Sequence, residues 1–241
     1  MHRFTIMTCN VGNGRARPES LTRALNGCGA DLIGIQELSD GQALAVSQGL
    51  AMEYPFQVMY PGGFAGKALI SRFPITASEQ LFLSKERPDL KTTVDFEDCE
   101  LTFLIAHPPP PRPHWSGARF DTDTWNEIVT LSNMAAENPP TVLIGDFNLI
   151  DRRKEYFYIR SLGLKDAFRE GGKKRGYTLP KRIGPWKRFI WLNRLLSGFP
   201  LFPLLRVDYI WYTPPIQCER AWVGPDTGSD HLPVLATLSL S

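Results

Sequence analysis

The chain contains little cysteine, and none of it is arranged as in a zinc site. Only four cysteines occur in 241 residues, and no two of them form a C-x-x-C pair. Zinc sites read from sequence typically show such pairs. Disulfide frameworks are typical of much shorter secreted chains. The sequence therefore argues against both a zinc site and a disulfide scaffold.

Long hydrophobic runs are also missing. No apolar segment free of charge reaches the about 20 residues that a transmembrane helix needs. Residues 1–9 are too short and too polar for the core of a secretory signal. Because 43% of the residues are nevertheless hydrophobic, the chain can bury one large core. We expect a soluble, cytoplasmic protein, with peripheral membrane binding left open, that forms one domain over residues 1–241.

The net charge is small but unevenly distributed. The formal net charge is +2, yet residues 152–206 hold 15 Lys and Arg against 3 Asp and Glu. The rest of the chain holds 12 basic against 22 acidic residues. A solvated surface loop would explain this excess, and on charge alone that reading leads. An anionic partner, either nucleic acid or an acidic membrane surface, would explain it as well. We interpret residues 152–206 as a basic, apolar insert within the domain.

Short, buried strands dominate the hydrophobic pattern. We predict strands at residues 4–10, 31–37, 56–60, 67–71, 92–96, 101–106, 141–145, 207–212, 220–223 and 233–240. Helical spacing of apolar residues predicts helices at residues 18–28, 39–48 and 124–137. A proline near the start of the first helix and a Pro-Pro pair after the last support these bounds. Two sheets packed face to face with helices outside are the simplest architecture for this pattern.

The buried strands repeatedly end on polar residues. These strand-end residues are Asn10, Gln36, Glu37, His107, Asp146 and Asn148, and Asp208 lies early in a later strand. A strand held on both faces is rigid and can place such side chains accurately. Carboxylate and amide oxygens suit a hard cation such as Mg²⁺. The histidines are then free for proton transfer or phosphate contact.

Six short motifs fall in a recognisable order. They are Cys9-Asn10-Val11, Gly34-Ile35-Gln36-Glu37, Ala106-His107-Pro108, Gly145-Asp146-Phe147-Asn148, Arg206-Val207-Asp208-Tyr209-Ile210 and Gly228-Ser229-Asp230-His231-Leu232-Pro233-Val234. Each motif alone is weak. Together they resemble the endonuclease/exonuclease/phosphatase superfamily, which includes DNase-I-like nucleases, abasic-site endonucleases, inositol polyphosphate phosphatases and neutral sphingomyelinases. The resemblance covers nearly the whole chain.

This resemblance implies a fold and a chemistry. The fold is α+β, a four-layer α/β/β/α sandwich in which two mainly antiparallel sheets pack face to face with helices outside. The chemistry is hydrolysis of a phosphodiester by in-line attack of water, dependent on Mg²⁺ or Mn²⁺, with Ca²⁺ as a further candidate. A metal would polarise a phosphoryl oxygen or stabilise the leaving oxygen.

The resemblance also implies which residues bind the metal. Glu37 resembles the principal ligand, and Asn10 and Asp230 would assist it. Each residue also has an ordinary explanation when taken alone. Asn10 is a frequent turn former, Glu37 could simply end a strand, and Asp230 could cap a local turn.

The remaining matched residues would carry the catalytic steps. Asp146 would orient or deprotonate the attacking water, and Asn148 would hold that water or the phosphate. His231 would contact the scissile phosphate or transfer a proton, oriented by Asp208. His107 would stabilise the developing charge. The ordinary alternative for Asp146 and Asn148 is a local Asx turn.

One feature departs from the family pattern. In DNase-I-like nucleases an acidic residue supports the first histidine, but near that place this chain has Gly66-Lys67-Ala68. We therefore predict that His107 lacks this acidic partner. His107 is followed by a proline-rich stretch that ends at Trp115. Such a stretch is extended and stiff, so Trp115 is a candidate substrate contact, although a plain spacer loop explains it equally well.

The substrate is predicted from the insert. Residues 185–205 combine Trp, Phe and Leu with Lys and Arg, which suits an acidic lipid interface, with Trp186, Phe189 and Trp191 as substrate contacts. An extra helix packed on the core is the ordinary alternative. We predict, narrowly, a lipid phosphodiester, as for a sphingomyelinase or phospholipase C. The alternatives are an endonuclease or exonuclease on DNA or RNA and a non-catalytic binding module. No obligate protein partner is expected.

Overall fold

The computed structural model of the protein describes residues 2–85, 87–96, 99–113, 117–173, 176–182 and 201–240. Strands and helices alternate irregularly along these residues, and a 3₁₀ turn at Gly63–Ala65 adds to them. In chain order the elements are β1 (His2–Asn10), α1 (Pro18–Asn26), β2 (Leu32–Gln36), α2 (Asp40–Gly49), β3 (Phe56–Tyr60), β4 (Lys67–Ser71), β5 (Ile75–Leu81), β6 (Asp89–Asp95), β7 (Glu100–Ala106), α3 (Thr122–Glu137), β8 (Thr141–Asp146), α4 (Lys154–Ser161), β9 (Lys165–Asp166), α5 (Ala167–Gly171), β10 (Asp208–Tyr212), β11 (Gln217–Val223) and β12 (Val234–Leu240).

These strands form two six-stranded sheets. The first has the order β11-β12-β1-β2-β4-β3 and the second the order β5-β6-β7-β8-β10-β9. The β1–β2 and β7–β8 pairs run parallel, whereas the other pairs among these strands are antiparallel. The prediction of two mainly antiparallel sheets is therefore confirmed.

Three apolar clusters separate four layers. The central cluster lies between the sheets and contains, for example, Phe4 and Ile6 of β1 with Phe103 and Ile105 of β7. A second cluster joins α1 and α2 to the outer face of the first sheet, and a third joins α3 and α4 to that of the second. Because each sheet buries both faces, its central strands are apolar throughout rather than alternating. This arrangement is the predicted α/β/β/α sandwich.

The predicted elements agree closely with the observed ones. Strands β3 and β4 have the bounds that the sequence predicts, and helices α1, α2 and α3 lie where the apolar spacing places them. Strand β5, the two-residue strand β9 and helices α4 and α5 were not predicted. In the part of the chain that the structure describes, no helix is long and apolar enough to cross a membrane. The extent of the domain, residues 1–241 with a basic insert, stays a prediction.

The strand pairing places the polar strand ends at one edge of the sandwich. In the first sheet, Asn10 at the end of β1 is the register partner of Gln36 at the end of β2. In the second sheet, β8 ends at Asp146, and β10 begins at its register partner Asp208. Since the ends of parallel strands meet at the same edge, and β10 starts where β8 finishes, these side chains converge.

Candidate active site

Asp146 lies at the centre of the converging side chains. Its Oδ2 atom accepts a hydrogen bond from Asn10 Nδ2 at 3.0 Å. The same oxygen lies 3.5 Å from Nε2 of His107 and 3.7 Å from Nε2 of His231. All four residues are buried. One carboxylate oxygen therefore faces an amide and two imidazoles contributed by both sheets.

His231 is held as a charged imidazolium. Its Nδ1 lies 3.0 Å from Asp208 Oδ2, and its backbone N–H donates to Ser229 Oγ at 3.2 Å. Burial alone would lower the pKa of His231. The carboxylates of Asp208 and Asp146 outweigh burial and raise that pKa to about 9. His231 therefore carries a positive charge at neutral pH, and its Nε2 points toward Asp146.

His107 is held in the opposite state. Its Nε2 lies 3.5 Å from Glu37 Oε1, but an Arg87 Nη1 atom contacts the ring at 2.9 Å from Nε2 and 3.3 Å from Nδ1. Burial, reinforced by the positive charges of Arg87, Lys67 and His231, lowers the pKa of His107 well below its usual value. The site thus pairs a neutral imidazole with an imidazolium.

The surroundings of Asp146 change the pKa of its carboxyl group. Burial raises the pKa of its carboxyl group to about 7. The charge of His231 opposes that rise, and the charge of Asp208 adds to it. A carboxyl group whose pKa lies near neutrality can accept a proton at physiological pH.

Glu37 and Asn10 form the first-sheet side of the site. Asn10 Nδ2 donates to Glu37 Oε1 at 3.2 Å as well as to Asp146, and Asn10 Oδ1 accepts the N–H of Gly12 at 3.0 Å. Glu37 adopts a φ of 56°, a left-handed conformation that costs energy for a side chain of this kind and is concentrated at functional sites. Its carbonyl is fixed by the N–H of Asn13 at 2.9 Å.

The buried carboxylates fit a divalent cation. Carboxylate oxygens of Asp146 and Asp208 lie within 4.8 Å of each other and of a ring nitrogen of His231. As an imidazolium His231 offers no lone pair, so the oxygens are the candidate ligands. Asp208 Oδ1 is buried and has no hydrogen-bond partner among the described residues, so it has capacity for a further contact. Oxygen ligands of this kind suit Mg²⁺, Mn²⁺ or Ca²⁺. This group overlaps the predicted catalytic set rather than the predicted metal ligands, of which Glu37 and Asn10 lie beside it.

Asp230, the third predicted metal ligand, forms an ion pair with an arginine. Its carboxylate is in ion-pair contact with the guanidinium of Arg15, which comes from the loop after β1. The described residues that form the candidate metal group do not include Asp230. Its role as a metal ligand stays a prediction.

The turn that follows β8 explains the local sequence Gly145-Asp146-Phe147-Asn148. Asp146 Oδ1 accepts the backbone N–H of Asn148 at 2.9 Å, which is an Asx turn, and Asn148 Nδ2 donates to Pro108 O at 3.0 Å. Asn148 therefore fastens the loop after His107. Gly145 has a φ of 149°, and a Cβ atom there would overlap the carbonyl oxygen of Ala106 on the parallel strand. Only glycine permits this approach.

Two sets of residues complete the comparison with the predicted site. Four predicted substrate contacts lie outside the described residues, namely Trp115, Trp186, Phe189 and Trp191. Conversely, the sequence did not reveal Arg87. It comes from the loop between β5 and β6 and belongs to no motif, so no signal in the chain pointed to it.

Comparison with known proteins identifies similar folds. The model of the "Endonuclease/Exonuclease/phosphatase family" matches residues 7–231. No curated protein matches the chain. Among solved structures, an endonuclease/exonuclease/phosphatase family protein from Bacteroides thetaiotaomicron is 18% identical, with a TM-score of 0.73 over 100% of this chain and 98% of that one.

Two further solved structures have names that state a substrate or product. TDP2 of D. rerio, complexed with a single-strand DNA product, is 18% identical, with a TM-score of 0.73 and 100% of each chain covered. A mannosyl-6-phosphatase of Bacteroides thetaiotaomicron VPI-5482 is 18% identical, with a TM-score of 0.69 over 98% of this chain and 100% of that one. At these identities the likeness concerns the fold.

Proposed function

The chain belongs to the endonuclease/exonuclease/phosphatase family, and from this premise we propose that it is a divalent-metal-dependent phosphodiesterase that uses in-line attack of water. Members of this family are hydrolases of phosphate esters. The observation that carries the proposal is the buried Asp146 carboxylate, placed between the imidazolium of His231 and the neutral ring of His107. Base, acid and charge-stabilising groups thus share one buried edge.

Each side chain has a step that its geometry suits. Asp146 accepts the proton of the attacking water, because its raised pKa of about 7 makes it a better base than an ordinary aspartate. His231, oriented by Asp208, donates a hydrogen bond to a phosphoryl oxygen or a proton to the leaving oxygen. Arg87 and His107 stabilise the charge that develops on the phosphoryl group. Asn10 holds Asp146 in place.

The cation would be held by Glu37, with Asn10 beside it. When bound it would supply Lewis-acid polarisation of a phosphoryl oxygen. Its presence is supported by the convergence of three carboxyl groups, those of Glu37, Asp146 and Asp208, around the two histidines, since oxygen-rich clusters suit a hard cation. Mg²⁺ or Mn²⁺ is proposed first, and Ca²⁺ is the further candidate.

For the substrate we favour a single-stranded nucleic acid over a lipid. The similar TDP2 structure contains a single-strand DNA product. A cavity of about 480 Å³ is lined in part by Arg152 of the loop after β8, by Tyr177 and by Leu204. A cationic and an aromatic side chain in one cavity suit the backbone and a base of a nucleic-acid strand. The lipid preference depended on residues 185–205, most of which lie outside the described residues, and none of the three similar structures named above carries a lipid in its name.

The test is a substrate panel with matched variants. The purified protein is incubated with Mg²⁺, Mn²⁺, Ca²⁺ or EDTA. Substrates are a labelled single-stranded DNA, duplex DNA, sphingomyelin vesicles, p-nitrophenyl phosphate and bis(p-nitrophenyl) phosphate. We expect metal-dependent cleavage of the diesters, fastest with single-stranded DNA. Asp146→Asn should abolish it, whereas Glu79→Gln, an exposed residue of edge strand β5, should not. Turnover of the monoester alone, or of vesicles alone, would overturn the substrate proposal, and turnover of no substrate would overturn the proposed activity.

A further inference from the structure

A buried group of charged side chains lies behind His107 and has no part in the steps above. Lys67 opens β4, Asp89 opens β6, and Glu127 lies on α3, and the exposed fractions of these residues are 1%, 1% and 0%. Charged residues are almost never buried this completely unless they are paired. Three separate elements thus direct ionisable groups to one point in the interior.

Lys67 and Asp89 connect this point to the catalytic edge through two backbone contacts. The Lys67 ammonium donates to the carbonyl of Pro88 at 2.6 Å and lies 3.6 Å from Asp89 Oδ1. The same Asp89 oxygen accepts the backbone N–H of His107 at 3.3 Å. Pro88 directly follows Arg87. One ion pair therefore holds both chain segments from which the neutral imidazole and the guanidinium project.

The third member is neutral at physiological pH. Burial and the nearby charge of Asp89 raise the pKa of Glu127 to about 8, whereas burial raises the pKa of Asp89 only to about 6, so near neutral pH the proton lies on Glu127 rather than on Asp89. The net charge of the group then reduces to the pair of Lys67 and Asp89. Glu127 adds no second negative charge that would compete for the ammonium.

Stability alone is a poor reason for such a pair. Replacing a buried ion pair by well-packed apolar residues is often neutral or stabilising, because both charges lose their hydration. An apolar pair at these positions could fill the space between β4 and β6, but it could not accept the His107 N–H or donate to the Pro88 carbonyl. The two charged side chains add hydrogen bonds to the backbone, and these bonds fix the segments of His107 and Pro88 relative to each other.

We propose that Lys67 and Asp89 are positioning residues that hold His107 and Arg87 in the mutual contact needed to receive a phosphoryl group. Asp89 reaches the backbone N–H of His107. This proposal rests on the proposed phosphoesterase function for its kinetic consequences, but not for its structural ones.

The structural consequence is tested on the protein without substrate. The backbone amide exchange of His107 and the ¹⁵N shifts of its imidazole are measured by NMR in the wild type, Lys67→Met, Lys67→Arg and Asp89→Ala. We expect protection of the amide in the wild type and in Lys67→Arg. Its loss, with shifted imidazole signals, is expected in Lys67→Met and Asp89→Ala. Unchanged His107 signals in Lys67→Met and Asp89→Ala would overturn the proposal. Should Lys67→Met fail to fold, Asp89→Ala carries the same comparison.

The kinetic consequence is tested with a matched control. Asp31 is also an aspartate that pairs with a cation and accepts a backbone N–H. Its Oδ1 lies 3.0 Å from Arg72 and its Oδ2 lies 2.7 Å from the Thr5 nitrogen, but it precedes β2, at the end of that strand away from Glu37. On bis(p-nitrophenyl) phosphate, Asp89→Ala and Lys67→Met should lower kcat on the order of 10²-fold with little change in KM, and Lys67→Arg should restore most of it. Asp31→Ala should lose stability and keep its kcat. Equal losses of kcat in Asp89→Ala and Asp31→Ala would overturn the positioning role. If the wild type cleaves no substrate, the proposed function fails, and the NMR comparison alone decides this inference.

Discussion

Replacing Asp208 with asparagine should lower the pKa of His231. The carboxylate oxygen of Asp208 lies 3.0 Å from His231 Nδ1, and asparagine keeps the shape of the side chain but removes its charge. Burial by itself lowers the pKa of His231, and Asp208 is the largest of the contributions that raise it to about 9. Removing an opposite charge at this distance typically shifts a pKa by about 1 to 3 units. In the variant, His231 should therefore lose its proton near neutral pH.

The size of the effect follows from the pKa of His231. The ordinary value is 6.5 and the raised value is about 9. At about 1.4 kcal/mol per unit, the folded protein favours the imidazolium by roughly 3 kcal/mol. Because the folded pKa is raised, this stabilisation is fully present below pH 6.5 and is lost as the pH rises through about 9. The asparagine variant should accordingly be less stable than the wild type near pH 6, and the difference should shrink toward about pH 10.

Two measurements check this reasoning. The imidazole of His231 is titrated by NMR in the metal-free wild type and in metal-free Asp208→Asn, and urea unfolding of both proteins is recorded at about pH 6 and about pH 10. The wild-type titration should have its midpoint near pH 9, and the midpoint of the variant should move toward neutrality. Glu79→Gln, which removes a charge far from the site, should leave both unchanged. A variant that titrates like the wild type would refute the assignment of Asp208 as the main source of the imidazolium.

Three other substitutions probe separate parts of the site. Gly145→Ala should destabilise the fold by about 3 kcal/mol in urea unfolding, because the new Cβ would meet the Ala106 carbonyl at a φ of 149°; a change below about 0.5 kcal/mol would contradict the close approach of β7 and β8. Arg87→Met should lower kcat/KM about 10²-fold through the lost phosphate contact, and Arg87→Lys should recover it only in part because a lysine cannot present the planar fork beside His107. Glu37→Gln should weaken Mn²⁺ binding on the order of tenfold or more in calorimetry without substrate, and unchanged binding would exclude Glu37 as a ligand.

The sequence predicts the fold well wherever burial is continuous. Strands β1, β2, β4 and β8 are largely buried on both faces and appear in the chain as apolar runs. Strand β5 was missed because it is an edge strand that is mostly exposed and has no apolar pattern. The basic charge of residues 152–206 obscured helices α4 and α5. The apolar and aromatic residues of α4 form one consecutive run, residues 156–159, without helical spacing, and α5 is only five residues long.

The sequence likewise predicted some residues of the site and missed others. The motif residues at strand ends were found because each follows a recognisable buried strand, and the parallel and antiparallel pairings bring them together. Arg87, Lys67 and Asp89 were not assigned a role from the sequence. Their importance arises from contacts between distant parts of the chain, such as those from Asp89 to His107 and from Lys67 to Pro88. No local spacing of residues indicates contacts of this kind.

The two histidines show most clearly what a sequence motif leaves open. His107 and His231 both belong to short motifs, both are buried, and Nε2 of each lies within 3.7 Å of the same oxygen of Asp146. Burial lowers the pKa of both histidines. Two nearby carboxylates outweigh burial and raise the pKa of His231, whereas Arg87 and Lys67 lower the pKa of His107 further. The division into an imidazolium and a neutral imidazole is thus decided by the charged partners of each ring rather than by the histidine motifs themselves. Substituting the charged partners of His231 or of His107 should therefore change which ring carries a proton, although neither histidine is altered.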